Sequence, residues 1–189
     1  MNLWLRLIWC LVTARFRPAL QLPGDTSVLR FRVGLFDLDT SLHMNNGRYL
    51  TLMDLGRLDV MLRSGLWRAA LANKWVPIAS SVMIRYRREL GLLQAIKLNS
   101  RIVCWTAHAV IMEQWFMFDG GPRDGQTAAH ALFKGGLYDR KAGAFVPIAR
   151  LMAAVGMSAE SPEPGPDVAA FLDADTGMKQ APKERRDAD

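Results

Sequence analysis

Apolar and polar positions divide the chain into an apolar N-terminal run, one long helical pattern and a series of extended stretches. Residues 3–14 are almost entirely apolar, and Pro and Gly breakers over residues 18–26 separate them from the rest. Residues 27–36 carry the bulky side chains of a strand, and residues 47–64 place apolar side chains at helical spacing. Further extended patterns follow at about 76–89, 95–107, 108–118, 127–138 and 144–147.

One helix followed by antiparallel strands predicts an α+β domain. Several of the strands would have about ten residues or more, which implies a curved and strongly twisted sheet. The helix is apolar around most of its circumference, so we expect it at the centre of the fold or against a partner. Gly56 on its main face would allow a neighbouring backbone to approach closely. Asn45 or Asn46 can cap the start of the helix and Gly65 can end it, and a short closing helix is expected over 148–155.

The length of 189 residues suits one domain with tails. We assign residues 1–26 to an apolar N-terminal helix and linker, 27–157 to the folded domain, and 158–189 to a disordered charged tail. The tail holds eight Asp/Glu and four Lys/Arg, so the remaining body carries about +10 although the whole chain carries +6. A basic body suits phosphate-bearing ligands or anionic membrane surfaces, whereas no nucleic-acid-binding motif is present.

Cysteine usage and motif searches narrow the possible chemistry. Cys10 and Cys104 are the only cysteines, and their spacing argues against a disulfide framework or a zinc site. The sequence contains no Gly-rich nucleotide loop, no metal-ligand spacing and no nucleophilic Ser or Cys motif. We therefore expect no metal and no cofactor, in a chain that does not depend on an oxidising compartment.

The densest cluster of reactive side chains lies between the first predicted strand and the long helix. Its sequence is Asp37-Leu-Asp39-Thr-Ser41-Leu-His43-Met-Asn45-Asn46-Gly-Arg-Tyr49. Two carboxylates, one imidazole and two carboxamides are thus placed just before a helix, where backbone N–H donors can meet a substrate. This junction is the first candidate for a functional site.

The order of strand, motif, long helix and antiparallel strands resembles the hotdog-fold acyl thioesterases, and within them the 4-hydroxybenzoyl-CoA thioesterase-like group. The resemblance covers about residues 27–155 and includes Asp54, Gly56 and Arg57 on the helix. It implies a hotdog fold, in which a curved antiparallel sheet of five to six strands wraps around one long central helix. It also implies that a homodimer or higher homo-oligomer hydrolyses acyl-CoA or acyl-carrier-protein thioesters to free acid and thiol.

The resemblance assigns roles to three residues of the motif. Asp39 matches the usual catalytic carboxylate, which acts as general base on water or as nucleophile. His43 matches an Asp-x-Asn-x-His pattern of plant-type thioesterases, in which Ser41 replaces the Asn, and both are assigned as catalytic assistants. Asp37 is expected to orient the loop or to pair with an arginine. The alternative for Asp39 is that it only stabilises the turn by accepting loop N–H groups.

Further residues of the motif and of the next strand are candidates for substrate binding. Asn45 and Asn46 are expected first as helix caps and second as substrate contacts. Tyr49 is included as a substrate-binding candidate, although its position on the apolar helix face is more typical of the core. Arginine pairs well with phosphate groups, so the candidates for holding coenzyme A are Arg85, Arg87 and Arg88. The alternative for these arginines is an ordinary solvated strand face.

The N-terminal run leaves two interpretations open. It is shorter than the roughly 20 residues that cross a bilayer, and Arg6 interrupts it. Residues 3–14 could bind a membrane surface with Trp4 and Trp9 at the interface, or form an amphipathic helix packed on the domain or on a partner subunit. We expect a cytoplasmic protein, peripheral at the membrane if the first interpretation holds. A non-catalytic acyl- or lipid-binding module at a membrane and a structural dimer without ligand are the alternative functions.

Overall fold

The computed structural model describes residues 3–186. These residues form one β-sheet together with helices that precede and follow its strands. The N-terminal part contains α1 (Leu3–Ala14), β1 (Ser27–Arg32), a 3₁₀ turn (Leu35–Asp37), α2 (Asn46–Arg63) and α3 (Leu66–Ala72). The strands that follow are β2 (Trp75–Tyr86), β3 (Ala95–Trp105), β4 (Val110–Phe118), β5 (Thr127–Asp139) and β6 (Ala144–Phe145). The last two helices are α4 (Ile148–Ala154) and α5 (Pro166–Arg186).

The strands form one antiparallel sheet in the order β1-β3-β4-β5-β2, with β6 paired to β5. Register shifts interrupt three of the ladders, at Ala79/Ser81, Ile102/Cys104 and Phe116/Met117. Such bulges bend a strand and increase its twist, which lets the sheet curl around α2. The predicted α+β fold with a curved antiparallel sheet and one long central helix is confirmed.

The central helix α2 owes its limits and its position to a few residues. Asn45 caps it, because the Oδ1 atom of Asn45 accepts the Gly47 N–H at 2.8 Å. Gly65, in the left-handed region at φ +83°, follows the end of the helix. Leu52 and Met53 on the buried face are at most 2% exposed and pack into one cluster with side chains of β1, β3 and β4. The predicted cap and end of the helix are therefore confirmed.

The first helix α1 has one buried and one exposed face. Arg6, Cys10 and Ala14 are buried against the domain. The opposite face is apolar and exposed, and its residues are Trp4, Leu5, Ile8, Trp9, Leu11 and Val12. Within residues 3–186 no helix has both the length and the apolarity needed to cross a bilayer. The helix thus packs on its own domain, and most of its apolar outer face stays exposed.

The prediction of a disordered tail over residues 158–189 is wrong for most of that segment, because α5 occupies residues 166–186. Val168 and Phe171 are each 4% exposed and pack on the sheet against Cys104, Ile111 and Leu132. Lys134 of β5 and Asp175 of α5 form a buried ion pair at 2.6 Å. Apolar contacts and one ion pair therefore dock this helix on the sheet. The last predicted tail residues, 187–189, and residues 1–2 of the predicted N-terminal helix lie outside the described residues.

One strand boundary and one additional helix differ from the predictions. The first strand ends at Arg32 rather than Phe36, since the chain turns into the 3₁₀ segment at Leu35. Helix α3 was not predicted, and its Leu66 and Ala70 pack beside Val60 under the end of α2. The short closing helix is confirmed as α4. These differences lie outside the motif and leave its strand-to-helix setting as expected.

Candidate active site

The loop of residues 37–45, called here the motif loop, is anchored by a buried carboxylate. Asp37 is 1% exposed. Its Oδ1 and Oδ2 atoms accept hydrogen bonds from Nη1 and Nη2 of Arg6 at 2.9 and 2.6 Å, and Oδ2 also accepts the Gly34 N–H at 2.8 Å. Nε of Arg48 lies 3.4 Å from Oδ1. Of the two roles expected for Asp37, the pairing with an arginine is confirmed.

Backbone hydrogen bonds close the motif loop into a tight turn. The Asn45 N–H donates to the Asp37 carbonyl at 2.8 Å, and the Asp39 N–H donates to the His43 carbonyl at 2.8 Å. The Leu42 N–H donates to the Asp39 carbonyl at 3.1 Å, and Leu42 itself has a φ of +60°. A leucine in the left-handed region is strained. The conformation of this turn is therefore imposed by its surroundings rather than by local preference.

The Asp39 carboxylate lies at the start of this turn and accepts two backbone N–H groups. Its Oδ1 atom accepts from Ser41 at 2.9 Å and from His43 at 3.4 Å. None of the ion pairs among residues 3–186 involves Asp39. The turn thus fixes one oxygen of the carboxylate, and within the described residues the other oxygen accepts no hydrogen bond.

The predicted assistants reach Asp39 through their backbones rather than through their side chains. The His43 ring places Nε2 3.4 Å from Oε2 of Glu89. His43 also bridges to Gly91 as an isolated antiparallel pair, and the Met44 N–H donates to the Leu90 carbonyl at 2.8 Å. The segment after β2 therefore supports the motif loop from the side, and Glu89 orients the imidazole. The side-chain roles assigned to His43 and Ser41 stay predictions.

The candidates for substrate binding in the motif have different positions. Asn45 caps α2 as expected, and the carbonyl of Asn46 accepts the Tyr86 hydroxyl at 3.2 Å. Tyr49 is a core residue, since it is 2% exposed and its ring packs edge-on against Phe116 and Tyr86. Burial raises the pKa of Tyr49 to about 12. Tyr49 thus belongs to the core, and its assignment to substrate binding stays a prediction.

The three candidate arginines lie beside the motif loop at the end of β2. Arg85, Arg87 and Arg88 are all exposed. Nη1 of Arg88 donates to the Thr127 carbonyl at 2.9 Å, while the exposed Tyr86 ring packs edge-on against Tyr49. The next residue in the chain is Glu89, which orients His43. A cluster of cations therefore adjoins the loop that carries Asp39, and its use in phosphate binding stays a prediction.

An apolar groove runs along α2 on its exposed side and is bounded by the edge strand β2. It consists of two adjoining cavities of about 250 Å³ each. Both cavities are lined by Asp54, Arg57, Ala79 and Phe133. We call it the α2–β2 groove. It begins at Leu50, one helical turn after Asn46, so it starts about 6 Å along the helix from the motif loop.

Arg57 and Asp54 are the charged residues of the α2–β2 groove, and neither was predicted as a site residue. They form an ion pair, and the Arg57 guanidinium lies 4.0 Å from the centre of the Phe133 ring. Nη1 of Arg57 donates to Oε1 of the buried Gln114 at 2.8 Å. Burial lowers the pKa of Arg57. The sequence did contain a signal, because Asn46, Leu50, Asp54, Arg57 and Met61 form one stripe of the helix surface.

A curled antiparallel sheet around a central helix, with an aspartate loop before that helix, defines a hotdog-fold domain. Residues 33–172 match the Thioesterase-like superfamily, and the chain belongs to that superfamily. Over 114 residues it is 36% identical to Protein THEM6 of Danio rerio, which covers 60% of this chain and 56% of that protein. The chain thus spans little more than half the length of this relative.

Two solved structures with the same fold are described as a probable thioesterase and as a thioesterase. The YbaW probable thioesterase of Escherichia coli is 22% identical with a TM-score of 0.62, over 70% of this chain and 98% of that one. A mutant 4-hydroxybenzoyl-CoA thioesterase in complex with 4-hydroxybenzoyl-CoA is 10% identical with a TM-score of 0.61, over 69% of this chain and 99% of that one. At these identities the likeness concerns the fold.

Proposed function

We propose that this protein hydrolyses acyl thioesters of coenzyme A or of an acyl carrier protein, with Asp39 as general base or nucleophile. One observation carries the proposal. Asp39 stands in a strained, externally fixed turn at the start of α2, with one carboxylate oxygen tied to backbone N–H groups and no ion-pair partner among the described residues. A carboxylate placed in this way can accept a proton or attack a carbonyl carbon.

The proposed reaction needs only this carboxylate, water and N–H donors. As general base, Asp39 takes a proton from water while the water oxygen forms a bond to the thioester carbonyl carbon. The carbonyl electrons move to oxygen, and backbone N–H groups near the start of α2 stabilise the oxyanion. The C–S bond then breaks, and the thiolate leaves with the proton that Asp39 returns. As nucleophile, Asp39 would instead attack the carbonyl carbon, and the C–S bond would break to release the thiolate and leave a mixed anhydride. Water would then hydrolyse the anhydride, which releases the acid and restores the Asp39 carboxylate, and the proton that water gives up would protonate the thiolate.

The α2–β2 groove is the proposed site for the acyl group. Its lining is mostly apolar, and it starts one turn from Asn46 and continues to Leu66 and Leu151. An acyl chain bound there would place its thioester at the motif loop. The phosphates of coenzyme A would contact Arg85, Arg87 and Arg88, since exposed guanidinium groups bind phosphate in a bidentate manner.

We propose further that a second copy of the chain covers the groove. Strand β2 pairs with β5 along one edge, and within the described residues no strand pairs with its other edge. Val82 and Met83 on this edge strand are 42% and 46% exposed. A long apolar edge is a site for pairing with another chain. Sedimentation of the wild type against Val82→Lys tests this, since dimers that persist equally in both would contradict pairing through β2.

The direct test of the activity is hydrolysis of a panel of short, long and aromatic acyl-CoAs, followed by detection of the released thiol. We expect turnover of at least one member well above the uncatalysed rate, and no turnover of any acyl-CoA or acyl-carrier-protein thioester would overturn the proposal. The arginine assignment has its own test. Replacing Arg85, Arg87 and Arg88 by Ala should raise KM for acyl-CoA and leave KM unchanged for the matching pantetheine thioester, which lacks the nucleotide phosphates.

A non-catalytic lipid-binding role at a membrane surface is the second candidate function, and the exposed face of α1 favours it. Trp4 and Ile8 on this face are 67% and 55% exposed, and residues 1–24 contain no acidic side chain. Apolar helices with aromatic and basic residues bind anionic bilayers. Flotation of the full chain with anionic vesicles tests this. Trp4→Gln with Ile8→Gln should abolish flotation, Met178→Gln should retain it, and equal flotation of all three would exclude binding through α1.

A further inference from the structure

The first helix contributes a charged group to the candidate site although it lies outside the residues that match the superfamily. That match begins at residue 33, whereas α1 ends at Ala14. We propose that Arg6 of α1 is a positioning residue for the reaction, because it holds the motif loop, through Asp37, in the conformation that aims Asp39. The inference rests on the proposed function and assigns a part of the chemistry to a helix added in front of the domain.

The contact between Arg6 and Asp37 is buried on both sides. The two residues are 2% and 1% exposed. Two guanidinium nitrogens of Arg6 bind the two carboxylate oxygens at 2.9 and 2.6 Å, and Nη2 also donates to the Arg32 carbonyl at 3.0 Å. Arg6 therefore joins the loop to the end of β1. A bidentate pair of this kind fixes orientation as well as distance.

The side chains around the guanidinium leave no space for water while Arg6 is in place. The space enclosed by Leu3, Arg6, Asp37, Arg48, Thr51 and Leu52 has no room for a water molecule. Nε of Arg48 is itself buried without a hydrogen-bond acceptor. Without Arg6, the carboxylate of Asp37 would keep one weakly aligned cation at 3.4 Å. A buried carboxylate in that state moves toward solvent.

A displacement of Asp37 is passed directly to Asp39. The Asp37 carbonyl accepts the Asn45 N–H at 2.8 Å and so closes the motif loop. Asn45 is also the residue that caps α2. Asp39 lies two residues beyond Asp37, inside the closed loop. Movement of Asp37 would therefore change the position of Asp39 and the first turn of α2 together, and misplacement of a catalytic group by ~1 Å can cost about 100-fold in rate.

The chain contains a matched control for this contact. Arg17, just after α1, forms an ion pair of 2.6 Å with Asp59, which is 0% exposed. Asp59 lies in the second half of α2, remote in sequence from the motif loop, and is also paired with Arg63 at 3.1 Å. Arg6 and Arg17 thus neutralise one buried aspartate each, and only Arg6 touches the loop. Replacing either by Ala removes one cation from a buried aspartate, at a different place in the structure.

The experiment compares Arg6→Ala with Arg17→Ala on an acyl-CoA that the wild type hydrolyses. We expect Arg6→Ala to lower kcat about tenfold or more with KM within ~threefold, because only the placement of the reacting group changes. Arg17→Ala should keep kcat within ~twofold of the wild type, even if its thermal midpoint falls as far as that of Arg6→Ala. Added guanidinium ion should restore part of the lost kcat of Arg6→Ala. Equal kcat for the two variants would overturn the proposal.

A second readout does not depend on turnover. Amide hydrogen exchange of residues 38–44 should quicken in Arg6→Ala and in Asp37→Asn, and stay at the wild-type rate in Arg17→Ala. The isosteric Asp37→Asn serves if Arg6→Ala does not fold. Unchanged exchange in the folded variants would contradict the positioning role. A wild type that hydrolyses no thioester would contradict the proposed function instead, so the two failures are distinguishable.

Discussion

Nη1 of Arg57 donates a hydrogen bond of 2.8 Å to Oε1 of Gln114, and this bond joins the surface of the α2–β2 groove to the middle of the core. Gln114 is fully buried, and its Nε2 donates to the Ser100 hydroxyl at 2.8 Å and to the Met53 carbonyl at 3.0 Å. Every polar group of this side chain is thus used. The network holds α2 in register on β3 and β4, and so it sets the shape of the groove.

Gly56 is the position where α2 crosses this network, and we expect Gly56→Ala to destabilise the protein. A Cβ atom there would lie 2.9 Å from Nε2 of Gln114 and would overlap the Ser100 hydroxyl. Overpacking of this kind costs about 1–3 kcal/mol, which exceeds the gain of up to ~1 kcal/mol from replacing a helical glycine. Urea denaturation measures the change in unfolding free energy.

Gly177 provides the control for this substitution. It also lies in a helix, and an added Cβ would meet no atom within 4 Å. Gly177→Ala should therefore leave stability unchanged or raise it by up to ~1 kcal/mol. A Gly56→Ala protein as stable as Gly177→Ala would show that the helix does not need the close approach.

The pairing of Glu113 with His130 should make stability depend on pH in a defined direction. The hydrogen bond from His130, together with Arg101, holds the pKa of Glu113 below its ordinary value of about 4.5. The unfolded chain therefore takes up the proton first as pH falls. Relative to Glu113→Gln, the wild type should be more stable by about 1 kcal/mol at pH 7.

That advantage should decline as the pH falls from about 4.5 through the lower pKa of the folded state. Chemical denaturation at pH 7 and at several values below 4.5 measures it. Glu113 lies 2.8 Å from His130 and 2.6 Å from Arg101 on the sheet, so the variant leaves the motif loop untouched. A stability difference that stays constant over this range would contradict the assignment.

Phe171 should be a structural residue of the domain. It is 4% exposed between α5 and the sheet, so Phe171→Ala leaves a cavity and should lower the free energy of unfolding by about 3 kcal/mol. Met178 on the same helix is 75% exposed, and Met178→Ala should change stability by less than ~0.5 kcal/mol. Equal stability of the two variants would mean that α5 does not dock in solution.

Local patterns in the sequence were enough to predict the core of the fold. The apolar spacing of residues 47–64 and the cap at Asn45 predicted α2 almost to the residue, and turn residues separated most of the strands. Helix α5 was missed because the signals of Pro162, Pro164 and Pro166 and of the charged residues outweighed a sparse apolar stripe. Its docking depends on Lys134 and Leu132 in β5, which no local pattern can reveal.

The sequence was enough to predict the residues of the motif, but not the distant residues that contact the motif loop or form the groove. The motif placed Asp39 before a helix, and the expectation of an arginine partner for Asp37 was correct. The identity of that partner was not predictable, because Arg6 is 31 residues away and lies in a run that otherwise resembles a membrane anchor. The α2–β2 groove is likewise formed by residues that meet only when β2 closes beside α2.

The central claim is that Asp39 performs the chemistry, and its most direct test compares Asp39→Asn with Asp139→Asn in acyl-CoA hydrolysis. Like Asp39, Asp139 accepts two backbone N–H groups of a turn with one carboxylate oxygen. Its Oδ1 atom accepts the N–H groups of Lys141 and Ala142 at 2.9 and 3.1 Å, in the turn between β5 and β6. Asparagine can accept these bonds in both turns, so both variants should fold. We predict that Asp39→Asn loses about 100-fold or more in kcat while Asp139→Asn stays within ~twofold of the wild type. Full activity of Asp39→Asn would contradict the account.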